Sequence, residues 1–320
     1  MGFRDESPTE GGLASLVIEN YEELKRAVRG EAVRTHTVFG LTGVAIPEGA
    51  QIMTPWGWIK SAPSPSPDAF AGAAGMLAAR TTAILIRQRL TKVELLKDEQ
   101  AALEWMPGTA EFLSEERKVY ELLPLAFALA TADVTRCAPR VTFRTDVPPF
   151  SSGWGSSSSW HSPYSPYVEL TSDQIPGVEE WAQKVDRLHS EGMQVAAKRT
   201  VSAIAERLDK ADALIDAVTV WESLVGTRSE TVFRVTAALT KLLEPDSAAR
   251  DAFRKRLGVI YDMRSRVVHG EAVEVEALNS AADGAIDIAI SATRALYERG
   301  GEWLTMKSTT RADRLILGDR

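Results

Sequence analysis

Residues 247–270 read S-A-A-R-D-A-F-R-K-R-L-G-V-I-Y-D-M-R-S-R-V-V-H-G, and the spacing of their apolar positions predicts one long helix from Ser247 to His269. On a helix advancing ~100° per residue, Phe253, Leu257, Ile260, Arg264, Val267 and Val268 share one face. Ser247 is an acceptable N-cap, and Gly270 stops the helix at its other end. Arg264 interrupts the apolar stripe. A guanidinium buried there without a partner is costly, so the stripe must meet an acid, a phosphate or a polar seam at that point. Glu222 and Asp262 are the acids the sequence offers for an internal ion pair.

The same texture extends in both directions. From about Thr171 onward, helical spacing recurs over Val178–Leu188, Met193–Leu208, Lys210–Leu224, Ser229–Leu243 and Glu276–Arg299. In the third of these, Leu214, Ile215, Val218, Trp221 and Leu224 line one face, with Gly226 in a C-terminal cap position. Residues 171–305 therefore read as an all-α bundle. Residues 306–320, with Lys307, Arg311, Arg314 and Arg320 against Asp313 and Asp319, read as a flexible, frayed tail.

Residues 1–170 have a different pattern. After a helical segment over Leu16–Ala32, short β-branched and apolar runs are cut by Gly and Pro: Val38–Leu41, Val44–Pro47, Ile52–Trp56, Ala83–Ile86, Val93–Leu96 and Val141–Arg144. Glu111–Ala132 has helical spacing, and Ser61–Asp68, rich in proline, reads as a loop. Pro148–Tyr167 is rich in Ser, Pro and Trp and has little means of forming regular structure. Its Trp154, Trp160, Tyr164 and Tyr167 either staple a long loop to its own domain or stack on bases or sugars. The expected fold class is α+β, a mixed α/β N-terminal domain followed by an all-α bundle.

Composition excludes several classes. The formal net charge of −7 argues against a protein that coats nucleic acid nonspecifically. A single cysteine, Cys137, allows neither an intrachain disulfide nor a cysteine-based zinc site, and it fits a reducing cytoplasm. Met1–Gly12 is polar and acidic, unlike a signal peptide, and Ala69–Ile86 carries Arg80 within it, so no membrane span is expected. His36, His161 and His189 lack H-x-x-x-H or H-E-x-x-H spacing, and no G-x-x-x-x-G-K-[ST] loop occurs. Neither a metal nor another cofactor is expected.

Chemistry concentrates at Arg264 and His269. A guanidinium carries a fork of donors that fits phosphate, and an imidazole exchanges a proton near neutral pH. In a regular helix, residues five apart point ~140° away from each other, so the pair does not point the same way unless the helix loosens at its end, which Gly270 permits. His269 also reads as an ordinary helix cap. From Arg250 to His269 six cations (Arg250, Arg254, Lys255, Arg256, Arg264, Arg266) face two anions (Asp251, Asp262). A basic strip on an acidic chain can focus a polyanion, although a solvated helix face has the same composition.

These residues carry a resemblance. Ala213–Ala289 resembles the HEPN superfamily, most closely its Apea-like branch, through W-E-S-L-V-G at Trp221–Gly226 and Y-D-M-R-S-R-V-V-H-G at Tyr261–Gly270, with four residues between Arg and His. The resemblance implies a helical domain that dimerises with the Arg and His motifs of two chains facing a shared cleft. It also implies metal-independent endoribonuclease activity of the kind used in toxin and antiviral defence systems. Arg264 and His269 would be catalytic. Ser265, Arg266 and Arg254 would contact substrate, with Glu222 and Asp262 as supporting acids. The implied partners are RNA, a second copy of the chain, and a phage-derived or protein trigger acting on the N-terminal domain. A noncatalytic HEPN module binding nucleic acid, a nucleotide or a protein is the alternative.

Overall fold

A computed structural model describes residues 21–62, 81–92, 109–132, 136–147, 154–157, 168–226 and 231–318. The fold is α+β: an antiparallel sheet forms in the N-terminal region and helices fill the C-terminal region. The chain divides into two compact units. The first comprises Met1–Arg117, Arg140–Trp160 and Glu169–Ser172; the second comprises Lys118–Pro139, His161–Val168 and Asp173–Arg320.

The first unit contains α1 (residues 21–28), β1 (Ala32–Thr42), β2 (Val44–Ala45), β3 (Gln51–Thr54), β4 (Gly57–Ser61), β5 (Ala83–Lys92), β6 (Arg140–Val147) and β7 (Trp154–Ser157). Six strands form one sheet in the order β3-β4-β5-β1-β6-β7. Their register explains the alternation of the sequence. Ile52, Ile59, Leu85 and Phe39 stand opposite one another across four strands, and all are fully buried. Arg144 continues that row and pairs at 2.5 Å with Glu116 of α2 (Thr109–Ala130). Val38, Ile86 and Trp58 form the neighbouring row on the opposite face. The segment expected to lack regular structure contributes a strand: Trp154 to Ser157 pair with Asp146 to Phe143, because backbone pairing requires no apolar pattern of its own. Trp160, Tyr164, Tyr167 and Val93–Leu96 lie outside the described residues.

Gly57 closes the β3–β4 hairpin at φ +142°, and a Cβ there would sit 2.3 Å from the Ile86 carbonyl oxygen. Gly57→Ala is expected to destabilise this unit by about 1–3 kcal/mol, read as a lower midpoint in chemical denaturation followed by Trp fluorescence.

The helices of the second unit, after β8 (Val168–Glu169), are α3 (Ile175–Leu188), α4 (Gln194–Ala205), α5 (Lys210–Val225), α6 (Thr231–Leu243), α7 (Arg250–Val268), α8 (Val275–Arg299), α9 (Gly301–Thr305) and α10 (Ser308–Leu317). α5 is central, packing against α4, α6, α7, α8 and α10. Its start is fixed by Asp209, whose carboxylate accepts the Ala211 N–H at 2.7 Å. Buried Asp216 on α5 binds Arg199 and Arg207, each at 2.6 Å, and ties α4 to α5. No helix among the described residues is long and apolar enough to cross a membrane.

Two expectations are corrected here. Ser247 does not cap α7: the helix begins at Arg250, Ala249 precedes it without a side-chain cap, and Asp246 organises the approach by accepting the Ala248 N–H at 3.0 Å. Residues 308–317 are a helix, not a flexible tail. Ala312 and Leu315 are buried, Asp313 pairs with Arg234, and Arg314 pairs with Glu302 at 2.7 Å. Arg311 is 1% exposed and donates to the Gly192 carbonyl at 3.3 Å. Burial pushes its guanidinium down to about 10. A stripe that uses an arginine stem as core filler looks polar in the sequence.

Candidate active site at the end of α7

The core under α7 is built on Trp221. It is fully buried, donates its indole N–H to the Ala285 carbonyl of α8 at 3.2 Å, and meets the Tyr261 ring edge-on at 5.7 Å. Locking Trp221 inward carries the next residue, Glu222, round to the seam between α5 and α7. There the Tyr261 hydroxyl donates to Glu222 Oε1 at 3.4 Å, and Arg264 Nη2 lies 4.0 Å from Glu222 Oε2. Burial, reinforced by the Glu222 charge and opposed by Arg264, pushes the Tyr261 phenol well above its ordinary value. Tyr261 therefore stays protonated and serves as a donor.

The polar seam required by the sequence exists, and its acid is Glu222. Asp262, the other candidate, is exposed and has no ion pair with Arg264 among the described residues. Two residues along a helix rotate a side chain ~200°, which turns Asp262 away from the face that Arg264 occupies. The grip on Arg264 is loose. Among the described residues its buried Nε has no hydrogen-bond partner, and its ion pair with Glu222 is at 4.0 Å. The side chain is 28% exposed, so the Nη end, not the buried Nε, is what an anion could reach.

His269 is the C-cap of α7, its backbone N–H bonded to Ser265 O at 3.0 Å. Gly270 adopts φ +74°, which lets Glu271 N–H return to Arg266 O at 3.0 Å and ends the helix. The imidazole is exposed and has no hydrogen bond or ion pair among the described residues. Within one chain the helix keeps it ~140° from Arg264. The seam thus brings together Glu222, Tyr261 and Arg264, while His269 is exposed away from it.

The remaining expected contacts divide. Ser265 is exposed on the outer face. Arg266 is committed to the turn after the helix, donating to Glu271 at 3.2 Å and to the Ala272 carbonyl at 3.2 Å. Arg254 lies over the Phe233 ring at 4.6 Å. Arg250 caps the carbonyls of Glu244 and Pro245, and Lys255 pairs with Asp251 at 2.8 Å. Exposed Arg256 has no hydrogen bond or ion pair among the described residues. The basic strip therefore carries fewer free charges than its formal +4.

Sequence reasoning missed Tyr261 as the second ligand of Glu222, although its place in the quoted motif signalled it. It also missed Phe233, exposed at the start of α6, and Gly258, an interior helical glycine whose Cβ position is open to 4 Å. No packing demand explains Gly258. Replacing it with alanine is expected to stabilise the helical unit by about 0.5–1 kcal/mol, seen as a higher denaturation midpoint.

No group of three or more His, Cys, Asp or Glu among the described residues is placed to hold a metal. Cys137 is buried and its thiol is pushed up to about 12 by burial, which removes it as a nucleophile at neutral pH. His189 is half-buried and bonded through Nδ1 to the Tyr297 hydroxyl at 2.7 Å. Burial lowers its basicity, with Glu121 opposing. Comparison with protein-family models, with curated proteins and with solved structures returns no match.

Proposed function

We propose that the chain is a metal-independent endoribonuclease of HEPN type, acting as an antiviral defence effector in the cytoplasm. The observation that supports this reading best is the end of α7, where an under-satisfied Arg264 guanidinium and an exposed, unengaged His269 imidazole are held at the close of one helix. In this reading His269 takes the proton from a ribose 2′-hydroxyl. The freed oxygen attacks the adjacent phosphorus, the bond to the 5′-oxygen breaks, and a protonated imidazole returns a proton to that leaving oxygen. Arg264 neutralises the charge that gathers on the nonbridging oxygens. The products are a 2′,3′-cyclic phosphate and a 5′-hydroxyl.

In this reading a composite cleft bridges the ~140° between the two side chains, with Arg264 of one chain beside His269 of a second copy. The first unit then serves as the place where a phage-derived or protein trigger acts. The same angle favours a second reading, a noncatalytic module that binds nucleic acid, a nucleotide or a protein, since one chain alone does not converge the pair. Incubation with a structured RNA mixture in EDTA separates the two. Cutting that persists and leaves cyclic phosphate ends supports the nuclease; binding without cutting, in dimeric protein exposed to infected-cell extract, supports the module.

A further inference from the structure

Glu222 is shared by two donors and closed upon by neither. The Tyr261 hydroxyl reaches its Oε1 at 3.4 Å, and Arg264 Nη2 stands 4.0 Å from its Oε2. Among the described residues these are the partners of the carboxylate. A carboxylate and a guanidinium that meet ordinarily close into a bidentate pair, with two parallel N–H···O bonds that use both oxygens. Here a phenol has taken one oxygen, and the other lies beyond hydrogen-bond distance of the guanidinium. Two constraints hold the phenol in that place. The Tyr261 ring is 6% exposed and meets Trp221 edge-on at 5.7 Å, which fixes the direction of its hydroxyl. Burial keeps the phenol protonated, so it approaches Glu222 as a donor. Tyr261 and Arg264, three residues apart, are neighbours on the α7 surface that packs on α5.

Resting on the ribonuclease reading, we propose that Tyr261 is a positioning residue: by occupying one oxygen of Glu222 it keeps that carboxylate from closing on Arg264, and so leaves the outer nitrogens of the guanidinium free for a substrate phosphate. Glu222 still orients Arg264 by its charge at 4.0 Å. A movement of about 1 Å brings the pair into hydrogen-bond contact. The Tyr261 hydroxyl is what stands against that movement. Removing it alone releases Oε1, and a carboxylate only 31% exposed then takes the nearest donors left, which are those of Arg264. A closed pair hinders the reaction in two ways. It consumes the Nη donors that meet the nonbridging oxygens, and it sets a negative charge beside the phosphate.

The test compares wild type, Tyr261→Phe and the double variant Tyr261→Phe/Glu222→Gln by two readouts. Phenylalanine keeps the ring against Trp221 and deletes only the hydroxyl; circular dichroism melts check that each variant is folded. The first readout is the rate at which phenylglyoxal modifies the Arg264 guanidinium, followed by peptide mass mapping, and it requires neither RNA nor catalysis. Tyr261→Phe is expected to slow modification of Arg264 about threefold to tenfold, the range between an exposed ion pair and a charge-assisted hydrogen bond. The double variant should return to the wild-type rate or above, because a neutral amide does not clamp a guanidinium. The second readout is single-turnover cleavage at saturating RNA, which should follow the same order, while affinity for an uncleavable 2′-O-methyl oligonucleotide stays the same in Tyr261→Phe. Arg264 modified as fast in Tyr261→Phe as in wild type overturns the proposal. So does a slowed rate that the double variant leaves slow, because Tyr261 then acts through something other than the carboxylate. If no form cuts RNA while Arg264 reactivity keeps the expected order, the nuclease reading ends and the control of Arg264 by Tyr261 stands. If wild type cuts and Tyr261→Phe cuts equally fast, the positioning role ends and the nuclease stands.

Discussion

His269→Ala is expected to reduce RNA cleavage by about 10²–10⁴-fold, the usual contribution of a positioned general acid–base, with RNA affinity unchanged. The imidazole is exposed at the helix end and has no hydrogen bond or ion pair among the described residues, so its removal costs little packing. A loss of activity in this variant is therefore a loss of chemistry. Arg264→Ala should lower the rate by a similar order, because its guanidinium would meet charge that develops during the reaction. Arg264→Lys should not restore it, since an ammonium cannot reproduce the planar fork. Mixing the two inactive variants adds a direct check on the composite cleft: heterodimers carry one site with both side chains intact, and activity should partly return. Single-turnover kinetics with product-end mapping reads all of these outcomes. Variants that cut like wild type would remove the assigned chemistry.

Trp221→Ala is expected to destabilise the helical unit by about 3–5 kcal/mol. The side chain is fully buried at the junction of α5, α7 and α8. Its removal leaves a cavity, takes the second donor from the Ala285 carbonyl and removes the edge that holds the Tyr261 ring. Trp221→Phe keeps most of the volume and should cost less; both variants lose the indole N–H bond, so the difference between them reports the cavity. Because Trp221 and Glu222 are neighbours on α5, either change should also loosen the Glu222–Arg264 pair. Urea denaturation followed by circular dichroism measures the stability. A midpoint unchanged in Trp221→Ala would contradict the packing described for this junction.

The helices were legible because their signals are local. Apolar residues at helical spacing mark α5 and α7, and Gly270 marks the end of α7 through a backbone angle that side-chain-bearing residues avoid. The α+β class followed from the change of texture between the halves. The order of the six strands was not legible, since pairing between β1 and both β5 and β6 depends on partners far apart in the chain. β7 escaped notice because a Ser- and Gly-rich strand carries no apolar alternation.

For the site, the sequence by itself determined that Arg264 interrupts an apolar stripe and that His269 closes the helix five residues later. It also placed an excess of cations on the same helix. Only the tertiary structure decided what those residues meet. It selected Glu222 over Asp262, joined Tyr261 to the same carboxylate, committed Arg266 to a turn and set Arg254 on Phe233. It also docked α10 through a buried arginine that the sequence reads as surface. The physical reason is common to all of these. Helical periodicity fixes the direction of a side chain relative to its own axis, but its partner depends on how the axes cross, and that is set by long-range packing around Trp221 and its neighbours.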